Sequence, residues 1–259
     1  MNLPDINGAS IAGLGFVLLF VSLIIAFGLA IRREDGDPVH PKGLRQIPAF
    51  DRLGQAVGLA VEAGQRLHLT LGRGSLNGLQ GASALIGLVV LQRIARAASA
   101  SDKPPIATSG EGVLAILSQD ALHSVYRSIS AEDQYDPISG QLTGLTPFSY
   151  AAGTMPLIFD QQVSANFLAG HFGSEVALIT DAAERSGSLT LAGSDNIPAQ
   201  AVLYAASQEP LIGEELYAAG AYTQAGPMHV ASLRAQDILR WVLIVIILLG
   251  AVVRLTGVV

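Results

Sequence analysis

Two long apolar runs, one near each end of the chain, dominate the pattern of hydrophobic and polar positions. The first covers residues 11–31 without a charged side chain. A helix of that length spans about 30 Å, the thickness of the hydrocarbon core of a bilayer. A cleaved signal peptide has a basic start and a shorter apolar stretch, whereas residues 1–10 contain no Lys or Arg. We therefore interpret residues 11–31 as an uncleaved transmembrane helix that follows a short tail of residues 1–10.

The second run covers residues 238–259, and its uninterrupted part, residues 241–253, is about 20 Å long as a helix. Spanning a bilayer requires that the long side chain of Arg254 reach the far interface. Arg240 and Trp241 fit the near interface, where basic and aromatic residues collect. We expect a second transmembrane helix here, and a buried or re-entrant C-terminal helix is the alternative.

The distribution of Lys and Arg predicts the orientation. Five basic residues follow the first run within about twenty positions, none precedes it, and Arg234 and Arg240 precede the second run. Because basic residues favour the cytoplasmic side, the bias places the intervening domain in the cytoplasm and both termini outside. We expect an integral protein of the cell inner membrane, with the lipid bilayer as its first partner.

Between the anchors, after a linker at residues 32–48, a domain at residues 49–233 alternates between strand and helix patterns. Helices are predicted at residues 49–66, 76–98, 113–129, 155–170, 199–207 and 214–221, and strands at residues 67–71, 105–108, 148–152, 175–180 and 188–192. A long acidic loop is predicted at residues 130–147. A strand, a small polar turn and a helix, repeated several times, indicate an α/β domain with a mainly parallel sheet.

A glycine-rich turn follows the first strand of this domain, at residues 72–78 (GRGSLNG). Such turns let backbone N–H groups face an anion at the start of the next helix. The acidic ribose partner of a dinucleotide fold, expected about 20 residues further on, is missing, since Arg93 and Arg96 stand there. The glycines could instead serve tight packing, because 28 of the 259 residues are glycine.

Two further polar turns, at residues 109–112 and 193–196, would lie beside the glycine turn at the carboxyl ends of strands, where open α/β sheets bind ligands. The alternative is that these residues only cap helices. Our candidate ligand-binding residues are Gly72, Gly74, Ser75, Gly78, Ser109, Gly110, Glu111 and Asp195.

No convincing catalytic or metal-binding set emerges from the remaining motifs. The chain lacks cysteine, a Gly-Lys-Ser/Thr phosphate-binding sequence and a Gly-x-Ser-x-Gly elbow. His171 and Glu175 are four apart and could ligate a metal from one helix, but Gly170 and Gly173 make that helix doubtful. We predict no catalytic residue, metal site or cofactor.

Charge separates the two halves of the chain, whose formal net charge is −6. Residues 32–103 carry an excess of four basic side chains, whereas residues 104–233 carry an excess of eleven acidic ones. The acidic half argues against a nucleic-acid partner. The basic segment, residues 32–103, could bind anionic lipid headgroups. The alternative is that its charged side chains only form a solvated surface.

Residues 67–74 (LHLTLGRG) and 106–112 (IATSGEG) resemble an uncharacterised bacterial membrane-protein family, a domain of unknown function. The resemblance implies membrane residence and assigns no functional residue. Our first hypothesis is a membrane-anchored scaffold that forms a homo-oligomer or joins a membrane complex. A membrane-anchored nucleotide or small-ligand sensor and an enzyme acting on a membrane-proximal substrate are the alternatives.

Overall fold

The computed structural model describes residues 8–33, 44–78, 80–101 and 103–256. The chain divides into two compact units: a central domain, Gly43–Ala225, and a helical unit built from the segments on either side of it. The tail predicted at residues 1–10 lies mostly outside the described residues, as do linker residues 34–43 and the last three residues of the second apolar run.

In chain order, the elements are α1 (Gly8–Arg33), α2 (Pro48–Glu62), β1 (Arg66–Gly72), α3 (Gly81–Ala97), β2 (Ile106–Ser109), α4 (Gly112–Ser128), β3 (Gly140–Leu142), α5 (Pro147–Asp160), β4 (Val163–His171), α6 (Val176–Arg185), β5 (Leu189–Ser194), α7 (Ile197–Ala206), β6 (Glu209–Leu211), α8 (Glu215–Tyr222) and α9 (Pro227–Leu255), with short 3-10 turns after α3 and before β3.

The helical unit consists of α1 and α9, which pack against each other. Both helices are long and apolar enough to cross a membrane. Helix α9 begins at Pro227, well before the apolar run at residue 238, because the polar segment that precedes the run continues the same helix. The central domain accordingly ends at Ala225 rather than at residue 233.

The central domain contains one six-stranded sheet, in which every neighbouring pair of strands is parallel and the order is β3-β2-β1-β4-β5-β6. The predicted α/β class with a parallel sheet is therefore confirmed. The chain starts at the centre, moves outward to β3, returns to the centre and then moves outward to β6. The order reverses between β1 and β4, where Leu69 pairs with Phe167. This is the doubly wound order in which ligands bind at the point of reversal.

Helices cover both faces of the sheet, so the central strands are buried on both sides. On one face, Gly87 of α3 approaches Ala169 of β4, and α3 also contacts α2, α4 and α8. On the other face, Leu168 packs with α5, α6 and α7 in a cluster that includes Tyr150 and Ile158. Leu168 and Ala169 point to opposite sides because successive side chains of a strand alternate.

A buried polar network crosses the sheet at His68, which is 2% exposed. The Nδ1 atom of His68 lies 2.9 Å from Oδ1 of Asn166, and its Nε2 atom lies 2.9 Å from the hydroxyl of Thr108. Asn166 in turn donates to the hydroxyl of Ser188 at 2.7 Å. Burial lowers the pKa of His68 to about 4, so the ring is neutral at neutral pH and links three strands.

Three elements predicted in the middle of the domain were wrong. The segments predicted as strands at residues 148–152 and 175–180 belong to helices α5 and α6, and residues 163–170, predicted as the end of a helix, form most of β4. Helix α5 begins at a capping box between Thr146 and Ser149, with Pro147 in its first turn. It ends at Asp160, and Gln162 then adopts a left-handed conformation, with φ 54°, that admits a new strand.

The edge strands β3 and β6 were not predicted, because three residues are too few to show a period. Strand β3 lies inside the segment that we predicted as a loop. Helix α3 begins at Gly81, not at residue 76, because it is preceded by turns in which Gly78 N donates to Ser75 O and Gly81 N donates to Gly78 O. The strands and helices predicted elsewhere agree with the structure to within a few residues.

Candidate functional site

The carboxyl ends of β1 and β4, Gly72 and His171, meet at the reversal of the strand order, and we call the space beside them and the loops that follow them the switch crevice. Gly72 has φ 70°, and a Cβ atom on it would lie 2.5 Å from the carbonyl oxygen of His171. Arg73 N donates to that oxygen at 2.9 Å, and Gly110 N donates to Gly72 O at 2.9 Å. Glycine is therefore required at position 72, and the ends of three strands are tied together there.

The glycine turn folds back over the end of β4. A Cβ atom on Gly74 would lie 2.5 Å from the carbonyl oxygen of Gln80 and 2.9 Å from Cβ of His171. Ser75 uses its hydroxyl to accept from Asn77 N at 3.4 Å, whereas Gly78 has open space around its Cα. Gln80 precedes α3 without a side-chain cap. Gly74 is thus a packing glycine, while Ser75 and Gly78 shape the turn.

An ion pair crosses the switch crevice. Nε of Arg73 donates to Oε1 of Glu175 at 3.2 Å, and the same oxygen accepts from Gly173 N at 3.0 Å. Glu175 is buried, with 2% of its side chain exposed, whereas Arg73 keeps 23% of its side chain exposed. The stem of Arg73 lies directly over Gly110, where a Cβ atom would overlap it. A fixed guanidinium therefore faces the crevice, held by a carboxylate beneath it.

A second pair lies at the end of β4. Nδ1 of His171 and Oδ1 of Asp195 are 2.8 Å apart, and their side chains are 25% and 13% exposed. Within the described part of the chain, no hydrogen bond reaches Nε2 of His171. The pKa of the nearby Tyr217 hydroxyl is raised by burial and by the charge of Asp195. Asp195 pairs with Nδ1 of the ring, so a further hydrogen bond of His171 would be made through Nε2.

The turn after β2 caps the helix that follows it, as the alternative to ligand binding predicted. Oε2 of Glu111 accepts from Leu114 N at 2.9 Å, so this carboxylate caps α4. The hydroxyl of Ser109 donates to the carbonyl oxygen of Glu111 at 3.1 Å. Ser109 and Gly110 flank Arg73 at the same edge, so the turn also forms one wall of the switch crevice.

The structure thus places Gly72, Gly74, Ser109, Gly110, Glu111 and Asp195 at one edge of the sheet, with Ser75 and Gly78 in the adjoining turn. Sequence reasoning missed the roles of Arg73, His171 and Glu175. His171 ends β4 and Glu175 precedes α6, so the two do not share a helix as a metal-binding pair would. Their position was hidden because we predicted β4 as part of a helix.

The structure also shows why basic residues, and no acidic residue, stand about 20 positions after the glycine turn. Arg93 and Arg96 lie near the end of α3, where Nε of Arg93 donates to the carbonyl oxygen of Thr223 at 2.8 Å. The long turn and α3 delay the end of β2 until Ser109. The first acidic residue after β2 is Glu111, whose carboxylate caps α4.

Exposed apolar side chains border the same edge of the sheet. Leu145 is 70% exposed in the turn before α5, Phe148 is 69% exposed in the first turn of α5, and Ile197 is 78% exposed at the start of α7. The carbonyl oxygen of Leu145 lies 3.5 Å from a terminal nitrogen of Arg73. A charged centre with an apolar border suits a ligand that has both an anionic and an apolar part.

Comparison with known proteins identifies a family without assigning an activity. No curated protein and no solved structure matches the chain significantly. One family matches residues 6–259, almost the whole chain, and it is described as a domain of unknown function. The expected resemblance to an uncharacterised family is therefore confirmed, and the chain belongs to the family of the domain of unknown function DUF6754.

Proposed function

We propose that the central domain is a membrane-anchored sensor that binds an anionic small molecule, such as a nucleotide, in the switch crevice. The observation that carries this proposal is the strand order, which sends the connections after β1 and β4 to opposite faces of the sheet, the arrangement in which α/β folds bind ligands between the two connections. Two apolar helices that could cross a membrane support the anchoring. The Lys and Arg bias supports a cytoplasmic domain at the inner membrane.

The chemistry around the switch crevice favours an anion. Arg73 presents a guanidinium that Glu175 holds in place, and His171, at the end of the neighbouring strand, has its Nδ1 paired with Asp195. Helix α3 begins at this edge without a side-chain cap, so its first N–H groups add positive potential. The partly exposed Arg73 retains donor groups that could form charge-assisted hydrogen bonds with a phosphate or carboxylate.

Titration calorimetry of the full chain in lipid nanodiscs, with ATP, NAD and cyclic AMP as probes, tests the proposal. Arg73→Gln should weaken binding at least about tenfold, since a hydrogen bond to a charged group contributes roughly 1.5–3 kcal/mol. Arg127→Gln is the matched control, because Arg127 is exposed in the last turn of α4, at the opposite edge of the sheet. Binding that is absent for every probe, or equal in wild type and Arg73→Gln, rejects this site.

The His171–Asp195 pair supports a second candidate, an enzyme acting on a membrane-proximal substrate. A histidine oriented by a carboxylate through Nδ1 can accept a proton at Nε2. The test is turnover of any probe that binds, followed by chromatography of the products. His171→Gln should abolish turnover while it preserves most of the binding. Turnover that survives this substitution removes the enzyme hypothesis in this form.

The exposed border of Leu145, Phe148 and Ile197 supports a third candidate, a scaffold that associates with copies of itself. Mass determination of the intact particle in mild detergent tests it. A particle of several chains that dissociates in the Phe148→Ser variant supports the scaffold, and a particle containing one chain rejects it.

A further inference from the structure

A cleft of about 280 Å³ opens on the central domain between α2, α3 and the end of α8, and we call it the α2–α3 cleft. Helix α2 contributes Phe50, Leu53 and Val57, which are three and four residues apart and therefore share one face of the helix. The cleft is distinct from the switch crevice, because Arg93, its residue on α3, lies about 18 Å along that helix from the end that borders the crevice.

Aromatic and aliphatic side chains form the walls of the α2–α3 cleft. The rings of Phe50 and Tyr222 stack, with their centroids 5.1 Å apart and an angle of 15° between their planes. The hydroxyl of Tyr222 donates to the carbonyl oxygen of Arg45, which anchors this ring at the end of α8. Leu53 and Ile94 add aliphatic surface from α2 and α3. A ligand in this cleft therefore needs an apolar body.

Of the described residues that line the cleft, only Arg93 is charged. Its Nε donates to the carbonyl oxygen of Thr223 at 2.8 Å, which fixes the guanidinium and leaves the two terminal nitrogens to a ligand. Among residues 8–33, 44–78, 80–101 and 103–256, no carboxylate forms an ion pair with Arg93. Burial and the charge of Arg96 lower the pKa of this guanidinium. A partly buried cation without a counterion favours an anion beside it.

The shape of the guanidinium and the size of the cleft determine which anion fits. The two terminal nitrogens of Arg93 match the two oxygens of a carboxylate, which can accept from both of them. Sites for drug-sized ligands measure about 300–1,000 Å³, so a cleft of about 280 Å³ suits a smaller molecule. One cation between apolar walls matches a single negative charge, whereas a nucleotide would bring several charges against those walls.

We propose that the α2–α3 cleft binds a small monocarboxylate with an apolar body, such as a medium-chain fatty acid. The carboxylate accepts from both terminal nitrogens of Arg93, and the apolar body lies against the rings of Phe50 and Tyr222. The site does not depend on the function proposed for the switch crevice, because none of its lining residues belongs to that crevice.

Photolabelling of the full chain in lipid nanodiscs tests the proposal, with a diazirine analogue of octanoate as the probe and mass spectrometry to map the labelled peptides. We expect label on α2 or α3. An excess of octanoate should prevent this labelling, whereas octanol, which has the same chain without a charge, should not. Mapping the peptides separates binding in the cleft from uptake of the probe by the bilayer or by the switch crevice.

Two variants test the two halves of the site. Arg93→Gln should lower the labelling at subsaturating probe by at least about tenfold, because it removes the charged donor of the carboxylate. Gly54→Leu should abolish the labelling, since Gly54 lines the cleft and no atom lies within 4 Å of the position that its Cβ would take. A leucine there therefore fits on the helix and fills the cleft.

Two controls match these changes in size and charge. Gly58→Leu adds the same side chain to α2, again with no atom within 4 Å of the Cβ position, but outside the lining of the cleft. Arg96→Gln removes a charge from the same end of α3, also outside that lining.

Label on α2 or α3 that both controls keep, that both test variants lose as stated, and that octanoate but not octanol prevents, supports the proposal. Label confined to other segments, wild-type labelling in either test variant, equal competition by octanol, or no label at all overturns it.

Discussion

Nε of Arg73 donates a hydrogen bond to Oε1 of Glu175 at 3.2 Å and thereby joins the turn after β1 to the segment after β4. These two segments are about a hundred residues apart in the chain and meet only because β1 and β4 are neighbours in the sheet. The contact fixes the Arg73 side chain at the edge of the switch crevice. It also makes the buried Glu175 the side chain on which the position of Arg73 depends.

Glu175→Ala should therefore destabilise the fold as well as the crevice. The change removes the acceptor of both Arg73 Nε and Gly173 N, and loss of a buried charged acceptor costs about 1.5–3 kcal/mol. Thermal unfolding of the full chain in detergent, followed by circular dichroism, measures the effect. Glu175→Gln retains an acceptor for Gly173 N and should lose less stability. An unchanged unfolding temperature in Glu175→Ala would show that the pair contributes nothing.

Substitutions at two helical glycines should have opposite signs. Gly58 in α2 has nothing within 4 Å of the position that a Cβ atom would take, so Gly58→Ala gains helix propensity and stabilises by roughly 0.5–1 kcal/mol. On Gly87 in α3, a Cβ atom would lie 2.7 Å from Leu71 Cδ2 and 2.9 Å from Ala169 O. Gly87→Ala should therefore destabilise, despite the same gain in propensity. Denaturant midpoints of the two variants compare them directly, and equal shifts would contradict the close packing of α3.

Acidification should weaken the central domain through His68. Its pKa is about 4 in the fold, against 6.5 for an unperturbed histidine, so the unfolded chain binds more protons between these two values. The free energy of unfolding is therefore fully retained above pH 6.5 and falls as the pH drops towards 4. The contribution of this group is at most about 3 kcal/mol.

Urea unfolding at a series of pH values measures this dependence. His68→Gln should be less stable at pH 7, because it disturbs the hydrogen bonds to Asn166 and Thr108, but its stability should change less between pH 6.5 and 4. His123→Gln serves as the control, since His123 lies on α4 with its ring against Tyr135 and outside this network. Equal slopes in wild type and His68→Gln would show that His68 is not the titrating group.

The packing of α1 on α9 should depend on Gly28. This residue is buried, and a side chain on it would collide with Sδ of Met228 and approach Cβ of Ala231. Because Met228 has a flexible side chain, Gly28→Ala should be tolerated, whereas Gly28→Leu should separate the helices. Cysteine crosslinking between pairs of positions on α1 and α9 that flank this contact, in a chain that has no cysteine of its own, reports the distance. Crosslinking that persists in Gly28→Leu would contradict this packing.

Periodicity and turn chemistry along the chain were sufficient to predict the two apolar helices, the α/β class, β1, β2 and β5, and most of the glycine turn after β1. These features are local: apolar runs, residues that start helices and glycines are visible within a window of a few residues. The same window failed at β4, because a strand buried on both faces has no alternation to distinguish it from a buried helix.

The tertiary structure alone placed the segment after β4 at the switch crevice. Which strands are neighbours depends on how helices pack on both faces of the sheet, and no window of sequence records that choice. Arg73, His171, Glu175 and Asp195 come together because β1, β4 and β5 are adjacent, although the chain separates the first from the last by more than a hundred residues. The sequence determined the elements and their turns, and packing between distant elements determined which of those turns share a site.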